Sequence, residues 1–374
     1  MSNSKPHASI LFVAVILACA QSARADEAAD PYAPGRAIVG DIGRITAPNG
    51  VQDSFAAELG GTKQWVTVRG SDRDNPLLLY IHGGPAAPET PVAWAFQRPW
   101  EDFFTVVQWD QRAAGKSYRL NSPAKVAPTL SVDRYVDDAI ELILLLRKKY
   151  EKQKIILVGH SWGTIIGLSV AMKRPHLLHA YVGVGSVINF RENERAGFEW
   201  TLAQAIEDGN EVAVKELEAI EPYPGSGDFD PEKTGVERKW SIHYGALSAY
   251  RDNAEYYFHA PRLSPEYTPR DIEAWGAGSA LTIKTLFPKL ATVSFDDVHR
   301  LETPIFLFVG RHDYTTPSSL AVEWLAQLRA PKKGVVWFEN SAHLVPIEQP
   351  GRMLWALLTR VRPIAEQAGD GEKL

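Results

Sequence analysis

A serine between two glycines, Ser161, lies where the chain changes from a strand-like to a helix-like pattern. Residues Ile155–Val158 form a short apolar run with β-branched side chains, which predicts a buried strand, and residues 164–173 are helix-like. Between them stands Gly159-His160-Ser161-Trp162-Gly163, the pattern of a sharp strand-to-helix turn that exposes a nucleophilic hydroxyl. Two glycines fit this turn because side chains there would collide with the neighbouring strand or helix. We predict that Ser161 is a nucleophile; a structural glycine turn is the alternative.

A serine hydroxyl is too weakly acidic to attack unaided, so it needs a base and a group that orients the base. Each of the last two predicted strands delivers a candidate to the loop at its end, Asp313 after the first and His343 after the second. We predict His343 as the base and Asp313 as the residue that orients it. His312 and His160 are rival bases, but they adjoin Asp313 and Ser161 in the chain, and chain neighbours generally point elsewhere. His160 is expected to pack inside the turn.

Acyl transfer also needs hydrogen-bond donors for the negative charge that develops on the carbonyl oxygen. The apolar run Leu77–Ile81 predicts a buried strand, and His82-Gly83-Gly84-Pro85 follows it. The backbone N–H of Gly84 is one predicted donor, because glycine lets substrate and backbone approach closely. The backbone N–H of Trp162, next after the serine, is the other.

The elements that must hold these groups alternate between strands and helices. Apolar runs rich in β-branched residues predict strands at Leu77–Ile81, Phe104–Trp109, Ile155–Val158, Tyr181–Val184, Ile305–Val309 and Val335–Phe338. Helical patterns lie between most of them. This order predicts an α/β fold, with a mostly parallel sheet and helices on both of its faces.

The clearest predicted helix runs from Ser131 to Tyr150. Ser131 suits an N-cap, Asp133 lies in the first turn, and two lysines stand in the last turn, so that each complements the helix dipole. One apolar stripe is predicted to consist of Val136, Ile140, Ile143 and Leu144.

The strand and helix alternation stops between residues 187 and 290. This stretch is helical in tendency, and it carries 14 aromatic residues and 18 acidic against 11 basic side chains. We predict a helical lid inserted into the sheet domain; an acidic, solvated helical surface packed on aromatic residues is the alternative. The predicted divisions are a signal peptide over 1–25, a first core part over 26–186, the lid over 187–290 and a second core part over 291–374.

Composition excludes several classes of protein. The chain has 374 residues, of which 45% are apolar and 23% charged, which fits a globular protein of enzyme size. A net charge of −5 lacks the basic surface that binds nucleic acid, so no nucleic-acid partner is expected. One cysteine excludes a disulfide framework and a zinc site built from thiolates. The predicted serine chemistry needs no metal or cofactor.

The first 25 residues have the pattern of a secretory signal peptide. Lys5 precedes an apolar run from Ala8 to Ala20, and Ala23-Arg24-Ala25 suits cleavage after Ala25. The run is too short for a stable membrane anchor. We therefore expect an exported protein, periplasmic or secreted. The alternatives are a buried N-terminal helix and lipoprotein processing at Cys19, and only the latter would attach the protein to a membrane.

Several motifs together resemble one branch of a known family. They are His82-Gly-Gly-Pro85, Trp109-Asp-Gln-Arg-Ala-Ala-Gly-Lys-Ser117, Gly159-His-Ser-Trp-Gly163, Gly310-Arg-His-Asp313 and Ser341-Ala-His343. This set resembles the proline iminopeptidase branch of the α/β-hydrolase superfamily, serine enzymes that remove N-terminal proline from peptides, and it spans Leu77 to Leu354 except for the lid. The order Ser161, Asp313, His343 is the one that α/β-hydrolases use.

The resemblance implies further roles and shows departures. It implies that Asp110 and Arg112 brace the loop beside the oxyanion donors, although a plain ion pair at the strand end would have the same location. Ala86, Ala113 and His160 stand where the family commonly has glycine, and none of these changes disables the three catalytic candidates.

Iminopeptidases of this branch place lid glutamates around the substrate's cationic N-terminus. The segment Ala254-Glu-Tyr-Tyr-Phe258 resembles the family's segment that ends in Tyr-Phe, which makes Glu255 a candidate, and Glu199 before Trp200 is a second. A carboxylate in an aromatic pocket would attract an ammonium group strongly. The alternative is that both are ordinary surface residues.

The sequence therefore predicts an exported serine hydrolase, with a small-molecule or short-peptide substrate. The resemblance implies an aminopeptidase that releases N-terminal residues from short peptides. Two alternatives remain: a carboxylesterase or lactonase for small hydrophobic esters, and a non-catalytic ligand-binding homologue. Position 161 is serine, whereas haloalkane and epoxide chemistry on this scaffold needs an aspartate nucleophile.

Overall fold

One twisted sheet organises the chain in the computed structural model, which describes residues 30–371. Within that range the sheet has eight strands in the order β1-β2-β4-β3-β5-β6-β7-β8. The strands are β1 Val51–Leu59, β2 Thr62–Gly70, β3 Leu77–Ile81, β4 Thr105–Asp110, β5 Ile155–His160, β6 Leu178–Val184, β7 Ile305–Gly310 and β8 Lys333–Phe338. The predicted signal peptide and Cys19 lie outside the described residues.

The sheet is mostly parallel, as the sequence predicts. β3 pairs in parallel with β4 and β5, and the parallel pairing continues from β5 through β6 and β7 to β8. β1 and β2 form an antiparallel hairpin, and β2 joins it to the sheet by antiparallel pairing with β4. The carboxyl ends of β3 and β5 to β8 therefore meet at one edge, where the sequence places the candidate catalytic residues.

Helices cover the sheet. They are α1 Ala33–Ile42, α2 Gly115–Arg119, α3 Pro123–Val126, α4 Val132–Lys149, α5 Trp162–Lys173, α6 Phe190–Glu207, α7 Glu211–Glu218, α8 Pro231–His243, α9 Glu255–His259, α10 Pro269–Thr285, α11 Ser318–Gln327, α12 Val345–Glu348, α13 Pro350–Ala356 and α14 Arg362–Gln367. A π-helical turn, Leu357–Val361, joins α13 to α14. Short 3₁₀ turns occur at Ala93–Ala95, Arg98–Asp102, Ala127–Thr129, Pro175–Leu177, Ala260–Leu263 and Phe287–Thr292.

Alternate side chains of the central strands fill two apolar cores, one on each face of the sheet. On β3, Leu77, Leu79 and Ile81 pack into one core, while Leu78 and Tyr80 pack into the other. A strand that is buried on both faces reads as a continuous apolar run, which is why the five strands β3 to β7 were predictable.

The predicted helix 131–150 exists, with one difference in its buried face. The Ser131 side chain caps α4 by accepting a hydrogen bond from the Arg134 backbone N–H. Leu144, predicted in the apolar stripe, is 49% exposed, and Leu142 is buried instead. Leu142 lies three residues after Ala139 and four before Leu146, both of which are buried, whereas Leu144 lies two residues beyond Leu142 and so about 200° further around the helix.

The hairpin of β1 and β2 was missing from the predicted elements. Its signal is present, because two glycines join the strands and Gly60 and Gly61 both adopt positive φ (51° and 72°), as short hairpin turns require. Every second residue of β1 is exposed, and three of these four are polar (Gln52, Ser54 and Glu58), so β1 lacks the continuous apolar run used to find the core strands.

The stretch predicted as a lid contains α6 to α10, which lie between β6 and β7. α6, α7 and α8 share a small apolar core of their own, built around Phe198, Leu217, Tyr223 and Trp240. Within residues 30–371, none of the helices has both the length and the apolar character that a membrane crossing requires.

Candidate active site

Ser161 stands in a strained turn between β5 and α5. Its backbone has φ 55° and ψ −122°, a conformation that non-glycine residues rarely adopt, and its N–H donates to the Val184 carbonyl at 2.9 Å. A Cβ on Gly159 would lie 2.6 Å from the Gly163 carbonyl oxygen, and one on Gly163 would overlap the Ile81 carbonyl. Both glycines are therefore required by close packing of strand and helix, as the sequence suggested.

His343 and Asp313 meet at the carboxyl edge of the sheet. His343 Nδ1 lies 2.9 Å from Asp313 Oδ2, and both side chains are buried. Thr316 holds the carboxylate, since its backbone N–H donates to Oδ1 and its hydroxyl to Oδ2, each at 2.8 Å. With Nδ1 facing a carboxylate, the other ring nitrogen of His343 is the one free to act as a base.

Ser161 and His343 line the same cavity. Among the residues that the structure describes, Ser161 Oγ has no hydrogen-bond partner, so the hydroxyl opens on the cavity. Hydrogen bonds between a nucleophile and its base are often long in unliganded enzymes and tighten when substrate binds. The structure thus brings the three predicted side chains to one place, and the Asp313–His343 contact is the one already formed.

The two predicted oxyanion donors also face this cavity. Gly84 and Trp162 both line it, and in the described chain neither backbone N–H has a protein acceptor. Gly83 brings the first loop against the nucleophile, because a Cβ there would lie 3.0 Å from Ser161 Cβ. The N–H of Trp162 is the first of helix α5, where the helix dipole favours negative charge.

Gln111, a residue that the sequence analysis passed over, links the two donor segments. Its side-chain amide donates to the His82 carbonyl at 2.8 Å and accepts from the Trp162 indole N–H at 2.9 Å. His82 Nδ1 lies 2.8 Å from the Gly83 carbonyl, and its Nε2 accepts from the Gln111 backbone. Burial lowers the pKa of His82 to about 3, so its ring is neutral and keeps both contacts.

The resemblance implied that Asp110 and Arg112 brace the loop beside the oxyanion donors, and in the described part of the chain only Asp110 of the two has a hydrogen bond to that loop, through Thr90. Arg112 makes a buried, two-pronged pair with Asp138 of α4, through Nε at 2.8 Å and Nη2 at 2.9 Å. Asp110 accepts hydrogen bonds from the Thr90 hydroxyl at 2.6 Å, from the Lys116 backbone at 2.9 Å and from the Tyr267 hydroxyl. Burial raises the pKa of Asp110 to about 6 in spite of these donors.

The cavity has a volume of about 240 Å³ and mostly apolar walls. The core contributes the edge of the sheet, and the helical stretch contributes the opposite walls, with aromatic and aliphatic side chains such as Phe190, Ile242, Phe258, Trp275 and Phe287. Such walls suit a substrate with a compact apolar group, oriented by a few polar contacts.

The predicted substrate carboxylates do not line the cavity, which corrects the sequence prediction. Glu255 is exposed at the start of α9, and Glu199 is exposed on α6, where it pairs with Arg195. On α6 the face that points inward carries Glu194 instead, because Glu199 is five residues further along and lies on the other side of the helix.

Glu194 belongs to a buried charged cluster at the cavity wall. Arg238 pairs with both Glu194 and Glu237, and the Tyr223 hydroxyl donates to Glu194. Glu194 and Arg238 both line the cavity. The cluster holds two carboxyl groups against one guanidinium, and burial raises the pKa of Glu237. A signal for it exists in the sequence: Glu194 shares the inward face of α6 with Phe190 and Phe198, where an apolar residue is expected.

A second carboxylate, Glu89, lies in the cavity wall beside His160. Its Oε1 is 3.1 Å from His160 Nδ1 and accepts from the Tyr257 hydroxyl at 3.3 Å. His160 is buried, as predicted, and lines the cavity as well. Across residues 30–371, no cluster of three or more histidine, cysteine, aspartate or glutamate side chains has an arrangement suited to a metal ion.

Comparison with known proteins adds a family and relatives. The family model of the alpha/beta hydrolase fold matches residues 76–350. A probable aminopeptidase of Bacillus subtilis, YbaC, is 29% identical over 296 residues, which cover 78% of this chain and 91% of that protein. A proline iminopeptidase of Saccharolobus solfataricus is 25% identical over 308 residues, covering 77% of this chain and 84% of that one.

A solved structure agrees in fold. The crystal structure of proline iminopeptidase from Mycobacterium smegmatis superposes with a TM-score of 0.59 at 18% identity, covering 84% of this chain and 100% of that chain. At this level of identity the likeness shows a common fold and leaves the substrate to be argued from the site.

Proposed function

This chain belongs to the alpha/beta hydrolase fold family, and from that premise we propose that it is an exported serine aminopeptidase, like the proline iminopeptidases, that releases N-terminal residues from short peptides. The chain is a serine hydrolase. The observation that carries the proposed serine chemistry is the 2.9 Å contact of Asp313 and His343 beside a serine that opens on the same cavity.

In the proposed mechanism His343 removes the proton from Ser161 Oγ as that oxygen attacks the substrate carbonyl carbon. Asp313 keeps the proton-bearing Nδ1 of His343 turned inward and stabilises the imidazolium that forms. The backbone N–H groups of Gly84 and Trp162 donate to the oxyanion of the tetrahedral intermediate. His343 then protonates the leaving amine, and water releases the acyl group from Ser161 by the same steps in reverse.

The peptide substrate is supported by the relatives and by the charges at the wall. Two relatives that align with more than three quarters of the chain bear the names aminopeptidase and proline iminopeptidase. Glu194 lines the cavity, and mostly apolar walls strengthen the attraction between a carboxylate and a substrate ammonium group.

An esterase or lactonase is the second candidate, and a specific observation favours it. The cavity walls are mostly apolar, and Glu255 and Glu199 lie outside them. A substrate without an ammonium group would need no carboxylate at the wall.

One panel of substrates separates these two candidates. We expect the p-nitroanilides of proline and alanine to be hydrolysed, and N-acetylproline p-nitroanilide to react far more slowly because it lacks the ammonium group. Hydrolysis of short-chain nitrophenyl esters with no turnover of either free aminoacyl anilide would reject the peptidase and leave the esterase. A fluorophosphonate that fails to label Ser161 in the folded protein would instead favour a non-catalytic binding homologue.

Export is part of the proposal and rests on the pattern of residues 1–25. The mature N-terminus of the protein, determined by mass spectrometry after expression with the full chain, is expected at Asp26 in an extracytoplasmic fraction. A lipid-modified Cys19 at the N-terminus would identify the lipoprotein route, and an unprocessed chain retained inside the cell would contradict export.

A further inference from the structure

The histidine inside the serine turn has acceptors at both of its ring nitrogens. His160 Nε2 lies 3.0 Å from the main-chain carbonyl oxygen of His343, and His160 Nδ1 lies 3.1 Å from Glu89 Oε1. A carbonyl oxygen only accepts, so Nε2 carries a hydrogen. Glu89 Oε1 also accepts from the Tyr257 hydroxyl, so it faces two donors and Nδ1 carries a hydrogen as well. The ring that fits this site is the charged imidazolium.

The surroundings favour that charge. His160 and Glu89 are 3% and 2% exposed, so little solvent weakens their attraction. Burial alone lowers the pKa of His160, but the hydrogen bond and charge of Glu89, with the His343 carbonyl, outweigh it and raise that pKa above its usual value.

The contact reaches the backbone of the predicted base. His343 is held from two sides, since its N–H donates to the Leu247 carbonyl at 3.2 Å and its carbonyl accepts from His160. The rings of His160 and His343 are 4.9 Å apart between centroids. A change at His160 therefore moves the segment that carries the base.

We propose that His160 and Glu89 form a positioning pair, in which the His160 imidazolium, charged because Glu89 faces it, holds the backbone of His343 and so aims its ring at Ser161. This inference rests on the proposed Ser161–His343–Asp313 mechanism. His160 acts through His343 and is a positioning residue. If His160 loses its charge, Nε2 either has no hydrogen to donate to the His343 carbonyl or donates more weakly. The segment that carries His343 is then held less firmly.

The pair predicts how enzyme activity changes as the pH becomes alkaline. The titratable groups that face His160 are Glu89, Tyr257, Tyr80, His82, His343 and Asp313. Burial raises the pKa of Tyr80 and of Tyr257 well above the usual value and lowers that of His82, so these three stay uncharged at mildly alkaline pH. Activity should fall at alkaline pH as His160 loses its proton.

Three substitutions test the pair, with kcat and KM measured from pH 5 to 10 on a nitrophenyl ester or a proline anilide. His160→Leu keeps the approximate volume and removes the donor, and we expect kcat to fall on the order of 10- to 100-fold with little change in KM. His160→Gln retains an N–H donor and should keep kcat within a few-fold while the alkaline fall disappears. Glu89→Gln should move the alkaline fall to lower pH.

The matched control is His179→Gln. His179 is also buried and also pairs with a carboxylate, Asp370, at 3.0 Å, but it does not line the cavity. Its variant should keep the wild-type kcat and pH profile.

Several outcomes would overturn the pair. These are a His160→Leu enzyme with wild-type kcat and profile, a His160→Gln enzyme that keeps the alkaline fall at the same pH, and a Glu89→Gln enzyme whose alkaline fall does not move. If His160→Leu does not fold by circular dichroism, the other two variants decide. Fluorophosphonate labelling of wild-type Ser161 distinguishes failure of the pair from failure of the mechanism. If Ser161 is labelled but the variants leave the pH profile unchanged, the pair alone is rejected. If Ser161 is not labelled, the mechanism is rejected together with the pair.

Discussion

Ser131 and Ser161 both stand at helix N-caps, and they show how little the residue type alone decides. The Ser131 side chain caps α4 by accepting from the Arg134 N–H. Ser161 stands at the same position of α5 without a side-chain cap, in a strained backbone conformation. Strain that the surrounding structure maintains, at a residue whose hydroxyl opens on a cavity, is typical of a functional site.

Substitution of these two serines should have opposite effects on turnover and on stability. Ser161→Ala should lower kcat about a millionfold, as removal of a serine nucleophile does, and leave the unfolding free energy almost unchanged because no cap is lost. Ser131→Ala should leave kcat unchanged and lower the free energy of unfolding by about 1 kcal/mol. Turnover assays and urea unfolding of both variants measure this, and a Ser161→Ala enzyme with wild-type turnover would contradict the nucleophile.

The sequence located the three proposed catalytic residues better than the residues of the cavity wall. Ser161, Asp313 and His343 each follow a strand of the sheet, and a strand end is visible as the end of an apolar run. Glu194 and Glu89 approach the cavity through tertiary packing. Their orientation depends on how α6 and the loop after β3 dock, and a local pattern does not contain that information.

At the scale of elements, the sheet edge and α5 come together as closely as backbones permit. Gly163 on α5 lies against the carbonyls of Ile81 and His82, where the first oxyanion segment begins. The distance between the nucleophile and its donors is thus set by a contact of helix backbone with loop backbone. The β1 and β2 hairpin is far from this contact in the strand order, which is why missing it in the sequence did not alter the predicted site.

Gly163→Ala tests that contact. Its Cβ would overlap the Ile81 carbonyl, so α5 or the loop must shift, and we expect the free energy of unfolding to fall by several kcal/mol and activity to be lost with it. The control is Gly351→Ala in α13, where a Cβ meets no atom within 4 Å and stability should stay equal or rise slightly. Equal stability of the two variants, measured by thermal unfolding, would refute the close-packing argument.

Asp110 joins the end of β4 to the segment before α10 through Tyr267, and it gives a prediction about pH. Its folded pKa of about 6 lies above the ordinary value of 3.8, so the folded state binds this proton more tightly than the unfolded state does. Its contribution to stability is therefore present in full below pH 3.8 and is lost as pH rises through about 6.

Asp110→Asn removes that dependence. Relative to the variant, the wild type should lose about 2 kcal/mol of unfolding free energy between pH 4 and pH 7, measured by urea unfolding at each pH. Asp252→Asn, at an exposed aspartate, controls for the loss of one carboxyl group from the chain. Wild-type and Asp110→Asn curves that stay parallel over this range would refute the raised pKa.

At the scale of the whole molecule, one cavity is built by two parts of the chain with different tasks. The sheet and its loops carry Ser161, Asp313 and His343, while α6, α8 and α10 supply walls that include Glu194 and Arg238. Composition predicted the difference between these parts, since alternation of strands and helices stops at residue 187. The excess of acidic residues in that stretch did not identify which carboxylates face inward, because most lie on the outer surfaces of helices.

This division predicts that a change in the wall alters substrate selection more than chemistry. Glu194→Gln removes one of the two carboxyl groups around Arg238 and leaves the reacting groups in place. For a proline anilide we expect KM to rise about tenfold with kcat changed far less, because the lost interaction acts on the bound ammonium group. For a nitrophenyl ester, which has no ammonium group, KM should stay as in the wild type.

Glu216→Gln is the matched control for that prediction. Glu216 of α7 pairs with Lys239 of α8 and does not line the cavity, so its variant should match the wild type on both substrates. Equal rises in KM for anilide and ester in Glu194→Gln would mean that this carboxylate only holds Arg238 and Tyr223 in place. The peptide substrate would then lose its support from the cavity, because among the described wall residues Glu89 would be the carboxylate left, and it already faces His160.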